Sequence, residues 1–222
     1  GVRRRRRGAR RDRGRRLGGG AIAIRADVSS EADVESAFAR VDDELGPVDV
    51  CFANAGIAGA GGPLADYTLA DWQEVTGIDL DGVFFTVRAA VRRMAPRGYG
   101  KIVITGSVYS VRGDTLFGAY GYAASKGGIL SLARTAAVHL GPQGIRVNAI
   151  LPGYIRTDIG GGHMFSEEPD AVELRERIAA RVPLRALGEA SDLKGLALFL
   201  ATPASDYVTG AAIPIDGGWI AT

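Results

Sequence analysis

Tyr122 and Lys126 stand four residues apart in the stretch YAASK (122–126). On a helix that spacing puts both side chains on one face, one turn apart. A free tyrosine, with a pKa of about 10, is a poor acid or base at neutral pH. A neighbouring ammonium favours the phenolate and brings that pKa toward the working range. The pair is therefore a candidate proton donor and acceptor. Lys126 is one of three lysines against 24 arginines, and a lysine retained in such company suggests a need for a compact point charge. Ser107 closes the run KIVITGS (101–107), where its hydroxyl could hydrogen-bond a carbonyl oxygen. Tyr-x-x-x-Lys alone also arises by chance, so its surroundings must decide. Tyr120 lacks such a lysine, because position 124 is alanine.

The elements that would position these groups alternate in type. AIAIRA (21–26), VDVCFAN (48–54), KIVITGS (101–107), IRVNAIL (145–151) and AAIPID (211–216) read as strands, several almost wholly apolar, as when both faces of a sheet are covered. Ser30 and Asp33 have the spacing of a capping box and open a helix running to about Leu45, ended by Gly46. Thr68 and Asp71 cap a second helical region reaching about Arg97, and residues 122–140 form a third, closed by Gly141 and Pro142. Two more helices are expected near 168–181 and 191–201. Strands alternating with helices predict an α/β fold, a doubly wound parallel sheet in three layers. Ligands then bind at the carboxyl ends of the strands. Asp27, Asn54, Ser107 and the loop Pro152–Thr157 all fall at such ends.

Seven pieces, in order, carry a resemblance: ADVS (26–29), ANAG (53–56), IDLDGVF (78–84), ITGS (104–107), YAASK (122–126), RVNAILPGYIRT (146–157) and IDGG (215–218). Together they resemble the short-chain dehydrogenase/reductase family, NAD(P)-dependent oxidoreductases of Rossmann-type fold. The resemblance implies hydride transfer between a nicotinamide cofactor, NAD or NADP, and a small alcohol or ketone. Tyr122 would be the general acid/base, Lys126 would depress its pKa and hold the nicotinamide ribose, and Ser107 would orient the substrate carbonyl. For the cofactor it implies Asp27 and Val28 at the adenine, and Asn54, Ala55 and Gly56 along the adenosine half. Pro152, Gly153, Ile155 and Thr157 would lie by the carboxamide or phosphates. It also implies a homo-oligomer, dimer or tetramer, packing the helices at 78–97 and 122–140 against copies of themselves.

Plainer roles compete at each position. Asp27 could simply begin a turn, Asn54 could hold two strands together, and Asn148 could tie down the chain before Pro152. His139 suits a helix C-terminus, and His163 a solvated loop. Two features depart from the family pattern. Asp79 occupies a place where an asparagine often supports a proton relay, and an aspartate accepts hydrogen bonds without donating as an amide does; a relay role is assigned to Asp79. The gap from Ser107 to Tyr122 is a little longer than usual.

Ten of the first sixteen residues are arginine. Setting those ten and Asp12 aside leaves 17 basic groups against 24 acidic ones, a mildly acidic body behind a basic tail. Residues 1–20 are read as an Arg/Gly-rich tail expected to be disordered, and residues 21–222 as one Rossmann-type domain incomplete on its N-terminal side. The family's opening strand and G-x-x-x-G-x-G turn are not recognisable there. A truncation or reading-frame artefact is the favoured explanation, over a nucleic-acid arm. Weak cofactor binding follows as an expectation. The rival reading of the whole chain is a non-catalytic or cofactor-deficient protein of this fold acting in assembly, or through the tail. Cys51 is the sole cysteine, no apolar run approaches a membrane span, and a cytoplasmic protein without metal is expected. The loop from Asp158 to Arg181, with its glycines, is read as a mobile lid that sets the substrate: a sugar, polyol, small ketone or acyl thioester.

Overall fold

The computed structural model describes residues 20–113 and 116–222; the arginine tail lies outside them, and no structure is assigned to it. The first helix, α1 (Glu31–Leu45), begins where Ser30 caps it. The Ser30 hydroxyl accepts from the Asp33 amide at 3.3 Å, and the chain leaves the helix at Gly46 with φ of 89°. β1 (Val50–Ala53) follows. α2 (Leu69–Thr76) opens with a reciprocal capping box, Thr68 Oγ1 accepting from the Asp71 amide at 3.1 Å while Asp71 accepts from the Thr68 amide. The sequence predicts one helix from here to about Arg97. The structure instead inserts a π-helical turn, Gly77–Asp81, before α3 (Gly82–Met94). A π turn adds one residue per turn and rotates the side chains that follow, and Asp79 lies within it.

β2 (Gly100–Thr105), α4 (Tyr120–Leu140), β3 (Ile145–Pro152), α5 (Pro169–Arg181), α6 (Lys194–Ala201) and β4 (Ala212–Ile215) complete the order. The four strands pair parallel in sequence order, with Val103 opposite Phe52 on one side and Asn148 on the other. Alternation along the strands divides the core. Ile102, Ile104, Val147, Ala149 and Leu151 pack with Val87, Met94, Ile129 and Ala133 of α3 and α4. Val103 and Ile150 turn to the other face and meet Leu200 of α6. Each fully buried aliphatic side chain of this kind is worth about 1.5–3 kcal/mol, and helices cover both faces as the strand composition implies.

Residues 21–26 correct one expectation. Among the described residues they run without a strand assignment, apart from an isolated bridge at Ala21, because extended backbone becomes a strand only where a neighbouring strand supplies ladder hydrogen bonds. Asn54 and Asn148 take their structural roles. Asn54 Oδ1 accepts from Thr105 Oγ1 at 2.8 Å, joining the ends of β1 and β2. Asn148 donates to the Val208 carbonyl at 2.9 Å and accepts from the Ala211 amide at 3.0 Å, anchoring the segment that enters β4.

Candidate active site

Ser107 lies two residues beyond the end of β2 and caps a short 3-10 turn, Val108–Ser110. Its Oγ accepts from the Tyr109 amide at 3.2 Å, and its amide donates to Ser110 Oγ at 3.1 Å. That reciprocal pair holds a side chain of a residue that is only 6% exposed. Tyr122 lies in the first turn of α4 and its phenol is hydrogen-bonded by Ser107. Lys126, one turn further on, places Nζ 5.3 Å from the centre of the Tyr122 ring and donates to the Thr105 carbonyl at 3.2 Å. The π turn brings Asp79 to the same spot. Asp79 is fully buried, accepts from the Ile57 amide at 2.8 Å through Oδ1, and sets Oδ2 3.2 Å from Lys126 Nζ, close enough for an ion pair but without hydrogen-bond alignment. The structure thus brings Ser107, Tyr122, Lys126 and Asp79 together from three separate elements.

The electrostatics differ from the sequence reading. An ammonium was expected to lower the phenol pKa. Instead burial pushes the Tyr122 phenol up to about 12; the Ser107 hydrogen bond pulls it down, and the Asp79 charge pushes it up again. The reason is that burial is the largest of these effects and outweighs the Ser107 hydrogen bond. Burial also holds the Asp79 carboxyl above its ordinary range, opposed by Lys126 and the Ile57 amide. Cys51, buried in the core, has its thiol raised to about 12 by burial and is unreactive there.

On the cofactor side, Asp27, Val28 and Ala55 line one cleft of about 530 Å³ together with Arg25, Ala26, Asp33 and Ile78. Asp27 does begin a turn. Its Oδ1 accepts from the Ser29 amide at 2.9 Å and from Ser29 Oγ at 2.6 Å, and these bonds hold its carboxyl below the usual range. Walls of Ala26, Val28, Ala55 and Ile78 with a polar rim suit a flat heteroaromatic ring such as adenine. At Gly56 a Cβ would come within 3.0 Å of Asp79 Oδ2 and 3.3 Å of Lys126 Nζ, so glycine keeps this loop tight against the ammonium. The residues of this cleft fit the adenine end of such a cofactor. Pro152, Gly153, Ile155 and Thr157 occupy the loop after β3. Gly153 donates to the Ile215 carbonyl at 2.9 Å, Ile155 bridges to Gly188, and exposed Thr157 accepts from the Ile159 amide at 3.4 Å. Among the described residues no cluster of His, Cys, Asp or Glu could hold a metal ion.

An aromatic wall escaped the sequence reading. Tyr109 meets Tyr122 edge-on at 6.2 Å between ring centres, its hydroxyl is 2.6 Å from that of Tyr154, and Tyr154 packs edge-on against Trp219 at 5.0 Å. Arg112 lies against the same indole and donates to the Trp219 carbonyl at 2.6 Å. These residues are scattered over half of the chain, and no local spacing connects them. His163 is exposed and lies 3.3 Å from Asp170, and His139 sits in the last turn of α4.

A family model described as enoyl-(acyl carrier protein) reductase matches residues 3–220. L-rhamnose 1-dehydrogenase (NAD(P)(+)) of Azotobacter vinelandii is 41% identical over 203 residues, covering 91% of this chain and 76% of that one. The chain belongs to the short-chain dehydrogenase/reductase family. The crystal structure of levodione reductase superposes with a TM-score of 0.84 at 36% identity, covering 89% of this chain and 76% of the other. A gluconate 5-dehydrogenase from Burkholderia cenocepacia, solved with NADP and tartrate, gives 0.80 at 31% identity over 88% and 74%. As a short-chain dehydrogenase/reductase, the chain is an NAD(P)-dependent oxidoreductase of alcohol and carbonyl groups with a Rossmann-type fold.

Proposed function

We propose that Tyr122 is the general acid/base of a reversible alcohol/carbonyl oxidoreduction, assisted by Ser107 and Lys126. The observation that supports this reading is the meeting of phenol, serine hydroxyl and ammonium beyond the end of β2. In the reducing direction Tyr122 gives its proton to the substrate oxygen, and in the oxidising direction it takes that proton back. Ser107, locked by the 108–110 turn, hydrogen-bonds the same oxygen and fixes its approach to the phenol. Lys126 has three donors: one goes to Thr105 and one faces Asp79, and a third is available to the nicotinamide ribose hydroxyls. Asp27, Val28, Asn54, Ala55 and Gly56 would hold the adenosine half, with the Pro152–Thr157 loop at the other end. The nicotinamide, when bound, supplies or accepts the hydride.

The substrate proposed is a small hydroxylated alcohol/ketone pair, a reading supported by the rhamnose, levodione and gluconate names of the relatives above. In a cofactor-dependent screen of such alcohols and ketones, Tyr122→Phe should lower kcat by at least about 10²–10⁴-fold while the circular dichroism spectrum stays native. Turnover at the parent rate in that variant would overturn the assignment and favour a non-catalytic role. A homo-oligomer, dimer or tetramer, belongs to the same proposal, with Phe84 on α3 and Val138 on α4 exposed at 42% and 72%; light scattering that gives a monomer mass would oppose it. Among the described residues no helix is long and apolar enough to cross a membrane. A cytoplasmic setting is proposed, and cell fractionation tests it.

A further inference from the structure

We propose that the paired hydroxyls of Tyr109 and Tyr154 select substrates with a second oxygen on the carbon next to the reacting one, a vicinal diol or its hydroxy ketone. This deepens the catalytic reading above and rests on it. Tyr109 is tied to the reacting centre. Ser107 Oγ, which bonds the Tyr122 phenol, also accepts from the Tyr109 amide at 3.2 Å, and the Tyr109 ring stands edge-on to that of Tyr122 at 6.2 Å. Tyr154 comes from the loop after β3. It meets Tyr109 almost perpendicularly at 6.5 Å between ring centres, with the two hydroxyl oxygens 2.6 Å apart. A substrate whose reacting oxygen is held by Tyr122 and Ser107 extends along this wall.

Behind the hydroxyl pair the wall is apolar. Val108, Ile178, Val182 and Trp219 form a buried cluster with Tyr154 packed against it, while both tyrosines are only half-buried. A phenol oxygen in such surroundings needs a polar partner. Each hydroxyl oxygen has two accepting lone pairs and one proton, and a single proton makes the bond between the two. Whatever else these groups touch, the pair keeps accepting capacity for a substrate hydroxyl. Both supports are also rigid. Ser107 and Ser110 lock the 108–110 turn, and the Tyr154 carbonyl accepts from the Gly188 amide at 2.9 Å, while the Arg156 amide donates to the Gly188 carbonyl at 2.8 Å. Neither phenol lies on the glycine-containing segment Ile159–Phe165, so a fixed wall rather than a lid reads the second oxygen. The two hydroxyls already satisfy each other, and a substrate lacking that oxygen strands no polar group. The discrimination expected is therefore about tenfold, rather than the roughly 10⁴–10⁵-fold of a site left with an unpaired group.

The test compares matched alcohols, cyclohexane-1,2-diol with cyclohexanol and butane-2,3-diol with butan-2-ol, in NAD(P)-dependent oxidation by the full chain. The readout is the ratio of kcat/KM within each pair. In the parent it should favour the diol by about tenfold, beyond the statistical advantage of two oxidisable hydroxyls. Tyr109→Phe and Tyr154→Phe keep the rings and their packing, and each should bring the ratio close to the statistical value, mainly by raising KM for the diol. The double variant should lose no more than either single one, because the two hydroxyls act as a unit. A merely structural role would lower both alcohols of a pair together and leave the ratio unmoved. A parent ratio at the statistical value, or an unchanged ratio in both phenylalanine variants, overturns the proposal. If no alcohol is oxidised, the catalytic reading fails, and saturation-transfer NMR on the same pairs with NAD or NADP present judges the wall by itself. A stronger signal from the diol than from the alcohol, lost in the double variant, supports it; equal signals, or none, overturn it.

Discussion

At the scale of single residues, a fully buried carboxyl whose pKa lies above its ordinary range ties stability to pH. Burial is the main cause of the shift at Asp79, with Lys126 and the Ile57 amide opposing it. A group with its folded pKa above the unfolded one binds more protons when folded. Its contribution to stability is then fully present below the unfolded value and is lost as pH rises through the folded one. Starting from a pH of about 4, the ordinary carboxylate value, the parent should lose thermal stability relative to Asp79→Asn as pH increases. Differential scanning calorimetry of the two proteins across that window checks the sign; a difference in Tm independent of pH would contradict it. Tyr122, Lys126 and Ser107 were visible from residue type and spacing, whereas the direction of the phenol's shift was not. That direction comes first from burial of the phenol, with a carboxylate 43 positions upstream adding to it, and no spacing rule reports either.

At the scale of elements, the caps were legible and the defects between them were not. Ser30 with Asp33, and Thr68 with Asp71, signal helix starts because a side-chain oxygen must satisfy amides that have no intrahelical partner. Thr68→Ala should remove one such bond at 3.1 Å and cost about 1 kcal/mol, measured as a shift in urea midpoint at unchanged slope. The π turn at Gly77–Asp81 has no comparable signature in the sequence: its residues are compatible with ordinary helix, and contacts with the 54–57 loop and α4 favour the extra residue. Strand 21–26 failed for the complementary reason. Its composition suits a strand, but strand pairing is a property of two segments.

At the scale of the whole molecule, Lys101 shows how one side chain can join distant parts. It is 1% exposed, and from β2 it reaches Ser205 Oγ at 3.1 Å and Asp206 Oδ1 at 2.7 Å beyond α6. Asp206→Ala would leave a buried ammonium with a single neutral partner, and should cost about 2–4 kcal/mol. Lys101→Met removes the charge with its volume retained, and should cost less than about 1.5 kcal/mol, because Ser205 still bonds the Leu200 and Thr202 carbonyls. Chemical denaturation of both variants checks the order, and an equal loss would refute the account. The parallel α/β layering, the strand ends as the site, and the Tyr122–Lys126 face were determined by the sequence alone, since periodicity and caps are local and repeat along the chain. The inward turn of Asp79, its ion pair with Lys126, the aromatic wall of Tyr109, Tyr154 and Trp219, and the buried Lys101 were decided only in three dimensions, because each is an interaction between segments whose separation in sequence carries no information about their distance in space.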